Sequence, residues 1–138
     1  MLSIHDSRYL NKDFPNLGSD RVLVDPPCSA LGIRPKIYDF TTREKINYLA
    51  EYQKQFIAAA AKVVRPDGII VYSVCTFTSE ECEQVVKFAE EECGLEAVEQ
   101  GTVLGTKGLS AYGQTGLLCQ RFRPDEHEIG YFIAKFRR

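Results

Sequence analysis

Two cysteines, Cys28 and Cys75, each close a short apolar run. One run reads "RVLVDPPCSALG" and the other "GIIVYSVCTFTSEE". A thiol becomes a nucleophile only as thiolate, and it ionises most readily near positive charge or a helix N-terminus. Cys75 lies just before a segment predicted to turn helical near Thr78, where the helix dipole and free backbone N–H groups favour the anion. Cys28 is followed by Ser29, Ala30 and Gly32, residues small enough for a ligand to approach the backbone closely. Asp25 is expected to sit partly buried in the same cleft, and burial lifts a carboxyl's pKa and equips it to donate a proton. Two thiols and an acid in one cleft would suit covalent catalysis.

Those residues meet only if the right elements carry them. "RVLVD" is short and β-branched and reads as a buried strand that Pro26 and Pro27 end. From Thr42 to Val64, apolar residues recur at three- and four-residue steps through Ile46, Leu49, Phe56, Ile57 and Ala60, which predicts a helix capped by Thr41 or Thr42. Pro66-Asp67-Gly68 reads as a turn and "GIIVYSV" as a second buried strand. A second helix follows, with Thr78 and Glu81 spaced as a capping box and Gly94 as its terminator. "SIHDSRYL" is expected to hold a short strand, "LEAVEQ" another and "IGYFIAKF" the last. "GTVLGTKGLSAYGQTG", with five glycines, is expected to be a long mobile loop.

Alternating strands and helices predict an α/β fold with a parallel sheet of four or five strands. The last two strands lack an intervening helix and should form an antiparallel pair on one edge. In such sheets ligands lie outside the carboxyl ends of the strands. If the first two strands are parallel neighbours, Cys28 and Cys75 reach the same end of the sheet.

Composition narrows the class further. The chain has 138 residues, 44% hydrophobic and 26% charged, as expected of one soluble globular domain. Its formal net charge of −2 excludes a strongly basic nucleic-acid binder, although "LGIRPK" and "CQRFR" form local basic patches. No apolar run approaches a membrane span and no signal peptide is visible, so a cytoplasmic location is expected. The remaining cysteines, Cys82, Cys93 and Cys119, show no spacing suited to zinc and read as packing residues, so no metal is expected.

"DPPCSALG" together with "SVCTFTSEE" resembles the Sun/Nop-type (RsmB-like) RNA 5-methylcytosine methyltransferases, whose D-[AP]-P-C-[ST] and T-C-[ST] motifs match at Asp25–Ser29 and Val74–Thr76. "GYFIAKFRR" is similar to that family's ending. The resemblance implies the C-terminal half of a Rossmann-like methyltransferase fold and S-adenosylmethionine as methyl donor. It implies that Cys75 adds to carbon 6 of cytosine, that Asp25 holds the ring nitrogen and that Cys28 releases the product. Asp6, Asp25 and Pro27 would face the cofactor. Carbonyls of Pro26 and Pro27 would face the base, and Arg34, Lys36 and Arg43 the phosphates. "SALGIRPK" resembles the tRNA-acting branch, which favours tRNA over ribosomal RNA as partner.

The family's glycine-rich cofactor loop has no counterpart in these residues. Residues 1–138 are therefore expected to be a partial catalytic domain, with an exposed sheet edge open to self-association. The alternative is a non-catalytic RNA-binding or assembly module derived from the same family.

Overall fold

The structure, a computed structural model, describes residues 4–138. Ser7–Tyr9 form a 3-10 turn that leads into a short helix α1 (Leu10–Asp13), where a strand was expected. The Asp6 carboxylate accepts the Arg8 backbone N–H and so caps this turn. Polar residues that bond their own backbone favour such turns over strands.

Strand β1 (Ser19–Val24) ends where two prolines remove the donors a ladder needs. Helix α2 (Arg43–Val63) starts at Thr42, whose hydroxyl accepts the Lys45 N–H. Its buried stripe runs through Leu49, Gln53, Ile57 and Ala60. The helix then passes directly into strand β2 (Val64–Val74). Within β2, Ser19 pairs with Val64 but Arg21 pairs with Ile69, so Arg65 to Gly68 bulge out of the ladder. The predicted turn at Pro66–Gly68 is present as this bulge, with Asp67 at a φ of 60°.

Helix α3 (Glu83–Cys93) ends at Gly94, which adopts the left-handed conformation with a φ of 64°. Strands β3 (Glu96–Ala97), β4 (Thr106–Lys107), β5 (Gln120–Phe122) and β6 (Tyr131–Arg137) follow, with short helices α4 (Gly113–Leu117) and α5 (Pro124–His127) between them. The glycine-rich stretch after Gln100 is therefore folded, carrying β4 and α4. Buried Gln120 holds it, accepting the Leu104 and Gly105 N–H groups and donating to the Thr102 carbonyl.

The sheet order is β1-β2-β6-β5-β4, with β3 also on β6. β1 and β2 are parallel, and the other pairs are antiparallel. The antiparallel pair of β3 and β6 forms as expected, but β6 lies inside the sheet rather than at an edge. The reason is its alternating pattern: Phe132, Ala134 and Phe136 are buried, and they meet Tyr72, Ile57, Val85 and Val86 in the core under α2 and α3. Fully burying each Phe contributes about 2–3 kcal/mol. An edge position would forfeit much of that. β1 is one edge strand, paired on one side only among the described residues.

Candidate active site at the ends of β1 and β2

The parallel pairing of β1 and β2, with Val24 opposite Tyr72, carries both strands to the same end of the sheet. There the Cys28 and Cys75 sulfurs lie 3.3 Å apart, and either can donate to the other. Both thiols are half-buried. The turn carrying Cys28 is fixed by a close backbone crossing. The Gly32 N–H donates to the Cys75 carbonyl at 3.0 Å, and the Gly32 carbonyl accepts the Gly130 N–H at 2.8 Å. A Cβ on Gly32 would stand 1.9 Å from the Gly130 oxygen, so only glycine fits there.

Beneath the thiols lies a buried polar network that the sequence reading missed. Glu81 is fully buried. Its Oε1 accepts the Ser29 N–H at 2.8 Å and Gln53 Nε2 at 2.9 Å. Its Oε2 accepts Ser29 Oγ at 2.6 Å and Thr78 Oγ1 at 3.0 Å, while Thr76 Oγ1, 3.4 Å away, gives its single proton to Ser29 Oγ. Gln53 also donates to the Pro27 carbonyl. The Tyr72 hydroxyl reaches both Gln53 Oε1 and the Glu81 carbonyl. The predicted capping box at Thr78 and Glu81 does not form: Glu81 turns inward and α3 starts two residues later, at Glu83. One signal was available, a glutamine placed on an otherwise apolar stripe of α2.

A second buried acid, Glu83, pairs with Arg121 on β5 and accepts the Leu109 N–H. Arg121 in turn donates to the Phe77 carbonyl, which braces the turn after Cys75.

Burial, and secondarily the neighbouring Cys75 sulfur, pushes the Cys28 thiol up to about 12. At neutral pH Cys28 holds its proton. Cys82 is pushed up by complete burial and Cys119 to about 12 by burial. These two are packing thiols. Since α3 begins well after Cys75, the expected helix-terminus setting for that thiol is absent.

The other predicted site residues are placed as follows. Asp25 follows β1 and is exposed rather than partly buried. It lines a cavity of about 300 Å³ with Ser7, Val22, Pro26, Pro27 and Phe56. Asp6 is engaged with Arg8 and does not line that cavity. Pro26 is buried, and the Pro27 carbonyl is already taken by Gln53. Lys36 is held by Asp39 at 2.5 Å and by the Ala30 carbonyl. Arg43 approaches Glu80 at 3.7 Å. Arg34 is exposed and lines a groove of about 460 Å³ with Phe77, Leu109, Phe122 and Arg123. No helix among the described residues is long and apolar enough to cross a membrane.

A parallel β-α-β unit with two thiols at its carboxyl ends defines a class, and sequence comparison agrees. The chain belongs to the family described as 16S rRNA methyltransferase RsmB/F, matched over residues 1–137. Members of that family take their methyl group from S-adenosylmethionine. A "tRNA (cytosine(72)-C(5))-methyltransferase" of Pyrococcus horikoshii is 42% identical over 130 residues, covering 92% of this chain and 32% of the relative. An Arabidopsis thaliana "rRNA (cytosine-C(5))-methyltransferase NOP2C" is 36% identical, covering 91% of this chain and 24% of the relative. A solved structure titled as NSun6 from Pyrococcus horikoshii with SFG superposes with a TM-score of 0.90 at 40% identity, covering 99% of this chain and 34% of that one. SFG is an analogue of S-adenosylmethionine. This chain thus spans about a third or less of these relatives.

Proposed function

We propose that residues 1–138 carry the cysteine-bearing part of the catalytic centre of an RNA cytosine-5 methyltransferase, with tRNA as substrate. The observation that carries this reading is the pair of thiols 3.3 Å apart at the carboxyl ends of two parallel strands. The choice of tRNA rests on the tRNA-modifying relative, which is 42% identical, against 36% for the ribosomal one.

The cavity beside Asp25 and Pro27 offers an apolar wall and one carboxylate, which fits one side of S-adenosylmethionine. It is bounded by β1, α2 and the 3-10 turn. Bound there, the cofactor would supply an electrophilic methyl group.

The chain's own residues would do the rest. The Cys75 sulfur bonds to carbon 6 of cytosine, and the electrons of the 5,6 double bond make carbon 5 nucleophilic. Asp25 faces the ring nitrogen and steadies the charge that develops on the base. After transfer, Cys28 takes the proton from carbon 5. Cys28 must first give its own proton to solvent, and its raised pKa then makes the thiolate so formed a strong acceptor. The carbon–sulfur bond then breaks, its electrons restore the double bond, and Cys75 departs as thiolate. The target base must leave its stack to reach the thiols. The neighbouring nucleotide would lie in the groove of Arg34 and Phe77, where an aromatic face and a cation suit a base and its phosphate.

Incubating the chain with S-adenosylmethionine and tRNA containing 5-azacytidine tests this reading. A covalent complex that survives denaturation is expected, lost in Cys75→Ala. With unmodified tRNA, Cys28→Ala should accumulate a stalled complex. An adduct retained in Cys75→Ala would refute the nucleophile assignment. RNA binding without methyl transfer would support a non-catalytic module instead. The open edge of β1 also fits a second copy of the chain. Sedimentation showing a monomer at all concentrations would exclude that.

A further inference from the structure

Glu81 takes no part in the chemistry above, yet it is bonded more heavily than any other side chain near the thiols. It forms no ion pair among the described residues. A buried carboxylate without a counter-charge is costly unless donors fill its lone pairs. Here four donors do so, and they come from three separate segments: the N–H and hydroxyl of Ser29 after β1, Gln53 on α2, and Thr78 after β2, with Thr76 joined to the carboxylate through Ser29. Ser29 adjoins Cys28, and Thr76 adjoins Cys75. The hydroxyls of these two neighbours also bond each other, at 2.8 Å. Among the described residues, the only side-chain hydrogen-bond partner of each cysteine is the other cysteine. The two thiols are therefore held through their chain neighbours, and both neighbours end on one carboxylate.

We propose that Glu81 is a positioning residue, whose carboxylate ties the turns after β1 and β2 together and so sets the spacing of Cys28 and Cys75. The consequence for catalysis rests on the roles proposed above for those thiols, whereas the spacing itself does not.

The design of the test follows from hydrogen-bond chemistry. In Glu81→Gln, the amide oxygen can take the place of Oε1 and accept from Ser29 N–H and Gln53. The amide NH2 then faces the Ser29 and Thr78 hydroxyls, which can rotate to accept. Glu81→Ala removes every tie. The first readout is the rate at which the folded chain closes a Cys28–Cys75 disulfide with diamide, which takes up the two electrons and two protons the thiols lose. We expect Glu81→Ala to slow closure at least about tenfold and Glu81→Gln to stay within about twofold. The second readout is steady-state methyl transfer to tRNA. There kcat should fall about 100-fold in Glu81→Ala, with KM for RNA changed less than about threefold, and Glu81→Gln should recover most of kcat.

A role confined to stability would lower the melting temperature of Glu81→Ala and leave the closure rate of the folded protein unchanged. That result overturns the proposal, as does a glutamine variant as slow as alanine. Should Glu81→Ala not fold, Ser29→Ala removes one arm of the tie, and an unchanged closure rate there overturns the proposal equally. If the parent chain transfers no methyl group, the methyltransferase reading fails while the disulfide rates still decide the role of Glu81.

Discussion

Replacing Gly32 by alanine probes the tightest backbone crossing at the site. The new Cβ would stand 1.9 Å from the Gly130 oxygen, 2.5 Å from its carbonyl carbon and 2.8 Å from its Cα. All three are backbone atoms, so no side chain can swing away. The two loops must separate, which breaks the bonds from Gly32 N–H to Cys75 and from Gly130 N–H to Gly32. Two lost hydrogen bonds cost about 2 kcal/mol. Forced backbone shifts in a packed region add about 1–3 kcal/mol. The sum, about 3–5 kcal/mol, is a large share of the stability of a typical domain. Urea unfolding would read it as a fall in midpoint of about 2 M, for an m-value near 2 kcal/mol/M. Gly101→Ala is the control: its Cβ meets nothing within 4 Å, and only its φ of 79° opposes the change, at a cost of about 1 kcal/mol. If Gly32→Ala unfolds at the same urea concentration as Gly101→Ala, the argument from close approach is refuted.

Other consequences can be checked with simpler measurements. Cys119 is raised by burial from 9.0 to about 12, so the unfolded chain loses that proton first as pH rises. Stability should be fully present below pH 9 and fall towards pH 12, by up to about 4 kcal/mol for this thiol. Cys119→Ala should flatten that part of a stability–pH profile measured by denaturant unfolding. Tyr72→Phe removes the hydroxyl shared by Gln53 and the Glu81 carbonyl. It should lower stability by about 1–3 kcal/mol with little change in helix content by circular dichroism. A melting temperature equal to wild type would mean that water can take the place of this hydroxyl.

The parts of the fold readable from the sequence are those governed by local periodicity. The stripe of α2, the left-handed stop at Gly94 and the apolar runs of β1 and β2 are each properties of a few adjacent residues. The meeting of Cys28 and Cys75 was also legible, because it needs only that the two strands be parallel neighbours. What escaped was set by distant partners. Glu81 carries the spacing of a capping residue, but the donors that turn it inward come from Ser29 and Gln53, far away in the chain. The stretch after Gln100 looks like loose loop because its glycines admit many conformations. It is folded because Gln120 and Glu83 bind its backbone from other elements. Asp25 was expected to be partly buried on the strength of its neighbours, yet the groups that would cover it are not among its neighbours in sequence.

The interior place of β6 has a consequence for how the chain is made. β1, α2 and β2 all precede β6 in the chain. Both thiols and Glu81 are therefore synthesised and can gather before β6 exists. The strand that fills the middle of the sheet, bringing Phe132 and Phe136 and laying Gly130 over Gly32, is translated after all of them. A nascent chain thus holds its reactive sulfurs together while one flank of β2 is still open. The interval before β6 docks is when those sulfurs and that strand edge are most exposed to oxidation and to mispairing with other chains.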